Sequence, residues 1–448
     1  MANKQIAHIV AVNMGYGHER PANTLRHLAH KQDIIIANNY FGIPYEDKRL
    51  WENGRKIYEK ISRFKNVPIL GNLVFGIMDD LQRIPDFYPR RDLSLPSLQL
   101  WQFYNLIKKK YWMKHLIEKL AKNPKPLLCT FMTPAFAAEE FNYPNDIFVL
   151  ATDTDISRAW APLNPQKSRI KYLAPTGRVV ERLKLYGVRE ENIELTGFPL
   201  PINAIGGITP KNLYNDLSRR ISHLDPNKIF SSRAQKTLES HIGSYFSSSI
   251  NKKNNKPTSL AFLVGGAGTQ REIGGQIIRS LKREIKNSKI KLTLVAGTRY
   301  EVAKYFETEI TGAGLSQERK LKKIDVIFEH ERKDYFNAFE KAVRSFDIIW
   351  TKPSEISFYA GLGIPIIMTP PVGSQEDFNR MWLMQMAAGI DQLNPRYANE
   401  WLFDWIESGA LARMAWNGFI EAPTHGSYRI AEILAGKPNT IHKLPLVV

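Results

Sequence analysis

The sequence predicts an α/β protein built from two doubly wound domains. At 448 residues the chain is too long for one ordinary hydrophobic core, so two domains of roughly 200 residues each are expected. An apolar segment, a glycine turn, an amphipathic segment and a second apolar segment follow one another from residue 5, and the same order returns from residue 259. Strand, turn, helix and strand in that order open a doubly wound parallel sheet.

The first domain is predicted over residues 1–200. It begins with an apolar strand over 5–13, a glycine turn, and an amphipathic helix from about 22 to 30. A second helix is predicted over 178–186. Further apolar segments of strand length lie at residues 33–38, 125–131, 146–152, 170–174 and 192–196.

The pattern changes after residue 200. Residues 201–258 are predicted to be a linker and polar insertion, in which the serine-rich part at 211–256 forms an exposed loop. The second domain is predicted over 259–425, with a helix at 271–286. Residues 426–448 form a C-terminal helix and tail, and one option is that they return to the first domain. The strands of the second domain are predicted at 259–264, 291–296, 326–329, 348–351 and 364–369.

The net charge of +18 favours binding to an anionic partner, which is nucleic acid, anionic lipid or a phosphate-bearing substrate. An insert at residues 48–122 carries 16 basic against 7 acidic side chains, interleaved with eleven aromatic ones. The sequence has no zinc-ligand spacing and no nucleic-acid-binding signature, so nucleic acid is not the expected partner. Basic and aromatic residues together fit a membrane surface, and a merely solvated basic face fits equally well.

Cysteine usage and the N-terminus indicate the compartment. The single cysteine, Cys129, excludes an internal disulfide and fits a reducing cytosol; its apolar surroundings predict an inert core residue. The N-terminus runs directly into an apolar strand and carries no secretory signal. The longest apolar stretch, at 67–78, is too short to cross a bilayer. We therefore expect a cytoplasmic protein, either soluble or peripheral on the inner face of the membrane.

A glycine turn with a histidine follows the first predicted strand. Gly15 and Gly17 allow a tight turn before a helix N-terminus, which favours negative charge. His18 would lie at the carboxyl edge of the sheet, where an imidazole can accept a proton from an attacking hydroxyl. Packing against the helix start is the alternative role for His18.

A second glycine turn follows the strand that opens the second domain. It contains Gly265, Gly266 and Gly268, followed by Thr269 and Gln270. Backbone N–H groups at such a turn suit a diphosphate. The turn lacks the Gly-Lys-Ser/Thr ending of a P-loop and the spacing of a dinucleotide fingerprint, and a purely structural turn is the alternative.

Polar residues also follow the strand at 348–351. Lys352 would lie close enough to meet a phosphate. Ser354 is placed to cap a helix, and Glu355 is placed either to complement the helix dipole or to bind both hydroxyls of a ribose. The two roles for Glu355 stay open.

After the next strand, Gln375 and Asn379 are four residues apart and so share one helical face, with Glu376 beside them. Amide and carboxylate groups of this kind bind sugar hydroxyls; a solvated polar turn is the alternative. In the first domain, Asp153 and Asp155 end a buried strand. Asp153 is either an active-site residue beside His18 or a turn former.

Together these motifs resemble GT-B glycosyltransferases of the group that contains monogalactosyldiacylglycerol synthase and the peptidoglycan N-acetylglucosaminyltransferase. The turn at 15–18 resembles the N-terminal glycine turn of that group, and residues 153–160 resemble its Thr-Asp…Trp segment. Residues 172–199 look like the stretch before its interdomain link. The turn at 265–270 resembles its second glycine loop, and residues 375–379 resemble its donor-sugar motif.

The resemblance implies a GT-B fold, with two Rossmann-like domains facing across a cleft. It also implies inverting, metal-independent transfer of a hexose from a nucleotide sugar, with a UDP-sugar as the expected co-substrate and no other cofactor. The acceptor would bind the N-terminal domain and the donor the C-terminal one, and His18 would be the general base or its neighbour. Lipid acceptors in the group would make the insert at 48–122 a membrane-docking surface.

One loop departs from the group. The segment from Thr351 to Pro365 is about two residues shorter than in these relatives, so their ribose-binding glutamate aligns near Phe358. Glu355 takes that role only if the loop is shifted. Phosphate contact in this region is expected from the turn at 265–269, helped by Arg271 or Lys352.

Two other functions remain open at this point. A UDP-sugar 2-epimerase of the same architecture would need no acceptor and no membrane-like insert. A basic scaffold that binds membranes or polyanions without catalysis would also account for the charge.

Overall fold

A computed structural model describes residues 6–64, 84–250, 256–266 and 268–438. The apolar stretch predicted at 67–78 lies outside the described residues, as does Ala267 of the second glycine turn. By its internal contacts the chain divides into two compact units. Unit 1 comprises Met1–Pro199, Gly373–Phe378 and His425–Val448; unit 2 comprises Leu200–Val372 and Asn379–Thr424.

Unit 1 is built on a six-stranded parallel sheet. Its strands lie in the order β2-β1-β3-β4-β5-β6. The elements of this part of the chain are β1 (Ala7–Ala11), α1 (Tyr16–Thr24), β2 (Ala29–Ile36), α2 (Tyr45–Phe64), α3 (Leu98–Lys110), α4 (Lys114–Ala121), β3 (Leu127–Cys129), α5 (Met132–Glu140), β4 (Ile147–Leu150), β5 (Lys171–Ala174), α6 (Gly177–Leu185) and β6 (Ile193–Leu195).

Unit 2 contains a second six-stranded parallel sheet, in the order β12-β11-β10-β7-β8-β9. The remaining elements are α7 (Ile202–Ile205), α8 (Lys211–Leu224), α9 (Ile229–Arg233), α10 (Gln235–Ile250), β7 (Thr258–Leu263), α11 (Arg271–Ser280), α12 (Lys282–Lys286), β8 (Ile290–Gly297), α13 (Tyr300–Gly312), α14 (Ser316–Lys320), β9 (Ile324–Phe328), α15 (Arg332–Val343), β10 (Ile348–Thr351), β11 (Ile366–Met368), α16 (Ser374–Gln385), β12 (Gly389–Asp391), α17 (Ala398–Glu407), α18 (Ala410–Glu421) and α19 (Gly426–Leu434).

Short 3₁₀ helices connect several of these elements. They are Arg26–Leu28, Arg158–Trp160, Pro165–Lys167, Glu190–Asn192, Glu355–Leu362 and Pro395–Tyr397. The prediction of two doubly wound parallel α/β domains is confirmed by the two sheets.

The strands are apolar on both faces because helices cover both sides of each sheet. In the first sheet, Val10 and Cys129 point into one hydrophobic cluster, while their neighbours Ile9 and Leu128 point into another. The second cluster is completed by Ile430 of α19, which belongs to unit 1. Side chains that alternate between two cores produce the continuous hydrophobic runs seen in the sequence.

The prediction of an exposed loop over 211–256 is wrong. Most of that segment is helical, in α8, α9 and α10. Along α8 the buried residues Leu217, Ile221 and Leu224 recur at helical spacing, and along α10 Leu238 and Ile242 do the same. They pack into the core of unit 2. The polar and serine-rich faces of these helices hid an apolar stripe of period 3.6.

Smaller boundaries also differ from the prediction. The first helix begins at Tyr16, inside the predicted glycine turn, and ends at Thr24, so β2 starts earlier than expected. The helix predicted over 271–286 is divided between α11 and α12. Strand β12 was not predicted, because its sequence, Gly389-Ile390-Asp391, has a single apolar side chain and shows no apolar run.

No helix among the residues described is both long enough and apolar enough to span a bilayer.

Strands β7 and β10 of the second sheet are tied to α8 through a buried carboxylate. Asp347, which precedes β10, is fully buried and accepts hydrogen bonds from Arg219 Nη1 at 2.7 Å and His223 Nδ1 at 2.7 Å. It also accepts from the backbone N–H of Ser259 at the start of β7, at 2.9 Å. Removing one partner of such a buried charged network leaves the other charges uncompensated.

We therefore expect Asp347→Asn to lower the free energy of unfolding by about 3–5 kcal/mol. The matched control is Asp146→Asn, because Asp146 pairs with Lys171 at 3.1 Å while both side chains are exposed, and loss of a surface pair costs less than about 1 kcal/mol. Urea unfolding followed by circular dichroism measures both variants. Equal losses in the two variants would contradict the role assigned to Asp347.

Candidate active site

The first candidate site lies at the switch point of the first sheet. Strand β1 lies between β2 and β3 in the sheet. From β1 the chain continues to β2 on one side and later to β3 on the other side, and this reversal opens a crevice at the carboxyl ends of the strands. Gly15 follows β1 with a φ of 109°, a backbone conformation that favours glycine. This turn places His18 in the first turn of α1, beside the end of β3.

A backbone carbonyl just after β3 and a threonine just after β4 hold the His18 ring. His18 Nδ1 lies 2.9 Å from the carbonyl oxygen of Thr130 and 3.2 Å from Thr152 Oγ1. Thr130 Oγ1 in turn donates to the His18 carbonyl oxygen at 2.7 Å. Because a carbonyl oxygen can only accept, Nδ1 must carry the proton. The neutral ring then has its lone pair on Nε2, which is the form a general base requires.

His18 lines a cavity of about 250 Å³. One part of the wall comes from the strand ends, and the other comes from α2, α3 and the turn after α3. The residues that line the cavity are Met14, His18, Leu50, Trp51, Gly54, Gln99, Phe103, Leu106, Trp112, Phe131, Met132, Asp153, Ser157, Trp160 and Gln375. Most of these residues are apolar. The polar side chains in the cavity are those of His18, Asp153, Gln99, Ser157 and Gln375.

The two predicted acids separate in the structure. Asp153 is half-buried and lines the cavity with His18. Asp155 points into the core and forms a bidentate ion pair with Arg182, with Nε–Oδ1 and Nη2–Oδ2 distances of 2.8 and 2.7 Å. Asp155 is therefore a structural residue, and only Asp153 remains a candidate for chemistry.

The insert contributes to the cavity as well as to the surface. Trp51 and Trp112 pack against each other, with ring centroids 4.6 Å apart, and are buried in the core of unit 1. Other apolar side chains of the insert lie on the surface, including Leu95, Leu98 and Trp101, with exposed fractions of 84%, 69% and 49%.

The second candidate site lies at the switch point of the second sheet. Here β7 stands between β8 and β10, and the glycine turn at 265–270 follows β7. The N–H of Gly268 donates to the Gly265 carbonyl oxygen at 2.8 Å and closes the turn. Gln270 anchors its end: Nε2 donates to the Pro370 carbonyl oxygen at 2.8 Å and Oε1 accepts from Thr369 Oγ1 at 2.7 Å.

Lys352 crosses directly over this turn. A Cβ built on Gly265 would lie 2.6 Å from Lys352 Cε and 3.5 Å from Nζ. A side chain at position 265 would displace the end of the lysine side chain from its place over the turn. The predicted proximity of Lys352 to the glycine turn is thus realised, since both follow neighbouring strands of the sheet.

The loop after β10 holds Ser354 and Glu355. Ser354 occupies the position before the 3₁₀ helix, but its side chain makes no capping hydrogen bond, so the predicted cap is not formed. Glu355 begins that helix and is buried. Phe358 is buried against Trp382, with ring centroids 5.2 Å apart. Of Glu355 and Phe358, only Glu355 carries a carboxylate that is able to bind a ribose.

The predicted sugar motif lies on one helix, α16, as expected. Gln375 lines the cavity that contains His18, and the N–H of Glu376 donates to the Gly373 carbonyl oxygen at 3.0 Å. Asn379 is fully buried and its Nδ2 donates to the Pro353 carbonyl oxygen at 3.4 Å. Asn379 therefore supports the loop after β10, while Gln375 faces a cavity of unit 1.

Some residues near the candidate sites could not be identified from the sequence, because their role comes only from their place in the folded chain. Thr130 and Thr152 orient His18, and nothing in their local sequence distinguishes them from ordinary strand residues. Arg299 follows β8, and its Nε donates to the Gly266 carbonyl oxygen at 2.8 Å. A signal for Arg299 existed in the sequence, because Gly297-Thr298-Arg299 is a third glycine-containing turn after a predicted strand.

The single cysteine of the chain lies in the hydrophobic core of unit 1. The Cys129 thiol is buried and its burial raises the pKa of the thiol, as expected for an inert core cysteine. Among the residues that the structure describes, no three His, Cys, Asp or Glu side chains cluster as metal ligands.

The chain is similar to one sequence family and to several solved structures. A sequence family described as a domain of unknown function (DUF6938) matches residues 237–393. That range runs from α10 to the last strand of the second sheet and includes the second candidate site. No curated protein sequence matches the chain significantly.

Several solved structures are similar. S. aureus MnaA in complex with UDP is 13% identical, with 97% of this chain and 99% of that chain covered and a TM-score of 0.46. Acinetobacter baumannii MurG is 10% identical, with 96% and 99% covered and a TM-score of 0.45. The UDP-GlcNAc 2-epimerase of Neisseria meningitidis bound to UDP-GlcNAc is 14% identical, with 82% and 90% covered and a TM-score of 0.44. The α/β fold is established by this chain's own two parallel sheets.

The contacts of His18 predict its tautomer. We expect neutral His18 to carry its proton on Nδ1, because the alternative would set a lone pair against the Thr130 carbonyl oxygen. Long-range ¹⁵N–¹H correlation spectra of the imidazole rings distinguish the two tautomers, and the spectrum of His18→Gln assigns the resonance. A dominant Nε2–H form would show that Nδ1 instead accepts from Thr152.

Proposed function

We propose that this protein is a glycosyltransferase that moves a hexose from a nucleotide-diphosphate sugar to an acceptor hydroxyl with inversion. The observation that carries the proposal is the cavity of unit 1, where His18, held with its proton on Nδ1, and Asp153 line a largely apolar pocket at a switch point. A proton acceptor in such a pocket suits deprotonation of a hydroxyl. The sequence resemblance makes a UDP-sugar the expected donor.

In the proposed reaction, Nε2 of His18 takes the proton as the acceptor oxygen forms its bond to the anomeric carbon. The ring then becomes an imidazolium, and a carboxylate in the same cavity favours that charged form. This is the role proposed for Asp153. Gly15 and Gly17 would shape the backbone on the acceptor side.

The donor would bind unit 2, where the glycine turn at 265–270 and Lys352 would hold the diphosphate. Glu355 would bind the ribose. Backbone dipoles and a fixed cation stabilise charge that develops on a leaving diphosphate. The sugar hydroxyls would be bound by Gln375 and Glu376, with Asn379 supporting this part of the site.

An acceptor carried by a lipid is proposed on two grounds. The cavity walls are largely apolar, and the insert exposes Leu95, Leu98 and Trp101 around the start of α3, whose last turn carries Lys108, Lys109 and Lys110. Exposed apolar side chains on a helix that also carries lysines are typical of surfaces that bind anionic bilayers. A cytoplasmic protein that docks peripherally on the inner face of the membrane would meet such an acceptor.

The catalytic proposal predicts that His18→Gln lowers kcat by about 10²–10⁴-fold. The matched control is His30→Gln: His30 lies at the amino end of β2, the sheet edge opposite the cavity, and should keep full turnover. Release of nucleotide diphosphate in the presence of extracted membrane lipids measures both. If His18→Gln has the same turnover as the wild type, His18 does not take part in the mechanism.

A donor screen tests the function itself. We expect a UDP-sugar, among UDP, GDP, CMP and dTDP sugars, to raise the melting temperature of the wild type by mass action. Conversion of that sugar without any acceptor would indicate the 2-epimerase instead. No stabilisation by any donor, with vesicle binding intact in both His18→Gln and Glu376→Gln, would indicate a scaffold.

The docking proposal predicts that replacing Leu95, Leu98 and Trp101 by Ser weakens binding to anionic vesicles by about tenfold or more for each side chain that inserts, because each contributes about 1.5–3 kcal/mol. Leu321→Ser in unit 2 is the control, since Leu321 is 60% exposed. Vesicle co-sedimentation at constant ionic strength measures binding. Equal binding of the triple variant and the control would refute docking through the insert.

A further inference from the structure

The glycine turn of unit 2 has a cation on each side. Strand β7 lies between β8 and β10, so the turn after β7 is flanked by the residues that follow those two strands. Lys352 follows β10, and Arg299 follows β8. Because all strands of the sheet are parallel, these three chain segments end at the same edge.

Arg299 is attached to the turn by its own side chain. Its Nε donates to the Gly266 carbonyl oxygen at 2.8 Å, and its Cγ would lie 4.0 Å from a Cβ on Gly268. The nearest carboxylate that the structure pairs with it is Glu301, whose Oε1 lies 3.8 Å from Nη1. The side chain is 44% exposed, so the guanidinium reaches solvent while its stem stays on the turn.

Arg271, the arginine expected from the sequence to assist, is engaged elsewhere. Its guanidinium lies 5.0 Å from the centre of the Tyr305 ring, and its Nε lies 3.2 Å from Glu272 Oε1. The contact with Tyr305 holds Arg271 against α13, the helix that Arg299 precedes, and the contact with Glu272 lies within α11. By contrast, Arg299 contacts the backbone of the glycine turn directly.

We propose that Arg299 and Lys352 form a two-cation clamp for the diphosphate of the donor, in which Arg299 is the second phosphate-binding residue. The proposal rests on the proposed function, since it takes the donor to be a nucleotide-diphosphate sugar. One cation stands on each side of the turn, which fits two linked phosphate groups better than one. Guanidinium groups bind phosphate oxygens through directed, charge-assisted hydrogen bonds.

The clamp would act on the leaving group. As the acceptor oxygen bonds to the anomeric carbon, the bond from that carbon to the terminal phosphate oxygen breaks. Its electron pair stays on the phosphate oxygen, and the diphosphate gains one negative charge while the acceptor proton passes to His18. Fixed positive charges beside that oxygen stabilise the transition state more than the ground state.

The test compares nucleotide diphosphate with nucleotide monophosphate. Isothermal titration calorimetry measures the binding of UDP and UMP, with GDP and GMP as a second pair, to the full chain. We expect Arg299→Gln to weaken diphosphate binding by about tenfold or more, and monophosphate binding far less. Arg299→Lys should fall in between, because it keeps the charge without the directed fork. Arg413→Gln, an exposed arginine on α18, is the control for lost charge.

The outcomes separate the two proposals. A wild type that binds neither diphosphate overturns the proposed function, and the clamp with it. A wild type that binds a diphosphate, together with an Arg299→Gln variant of equal affinity, overturns the clamp alone. Equal weakening of diphosphate and monophosphate, with a lowered melting temperature, would mean that Arg299 only shapes the turn, and this also overturns the clamp.

Discussion

The arrangement of both candidate sites depends on the parallel pairing of all strands within each sheet. When every strand runs the same way, all carboxyl ends lie at one edge, and residues far apart in sequence meet there. In the first sheet this brings His18, after β1, against Thr130, after β3, across 112 positions of the chain. In the second sheet it brings Lys352 over Gly265. An antiparallel pairing at either point would send one partner to the opposite edge.

Buried polar contacts fix this arrangement where hydrophobic packing alone is not directional. Arg220 is fully buried and donates to the carbonyl oxygens of Phe346 and Leu362, at 2.8 and 2.7 Å, so it ties α8 to both ends of the segment that contains β10. Its burial lowers the pKa of the guanidinium to about 10. In unit 1 the Asp155–Arg182 pair joins the loop after β4 to α6. Such contacts hold the strand ends, and the polar side chains on them, in register.

The two units carry different chemistry. In unit 1 the cavity is mainly apolar, with an oriented imidazole and one carboxylate, and two helices of the insert form much of its wall. In unit 2 the corresponding edge presents a glycine turn with a cation on each side. The transfer that we propose requires a proton acceptor and a binding site for a diphosphate, and we propose the first role for unit 1 and the second for unit 2.

The sequence by itself determined the two sheets, the glycine turns and most strand positions, because strands buried on both faces appear as continuous apolar runs. It also predicted that His18, Asp153 and Lys352 lie at the sheet edges, since polar residues directly after such runs fall there. Only the tertiary structure decided the helices at 211–250, whose narrow apolar stripes are diluted by serine and lysine. It alone separated Asp153 from Asp155 and showed that Arg299 contacts the glycine turn, because partners distant in the chain set which way each side chain points.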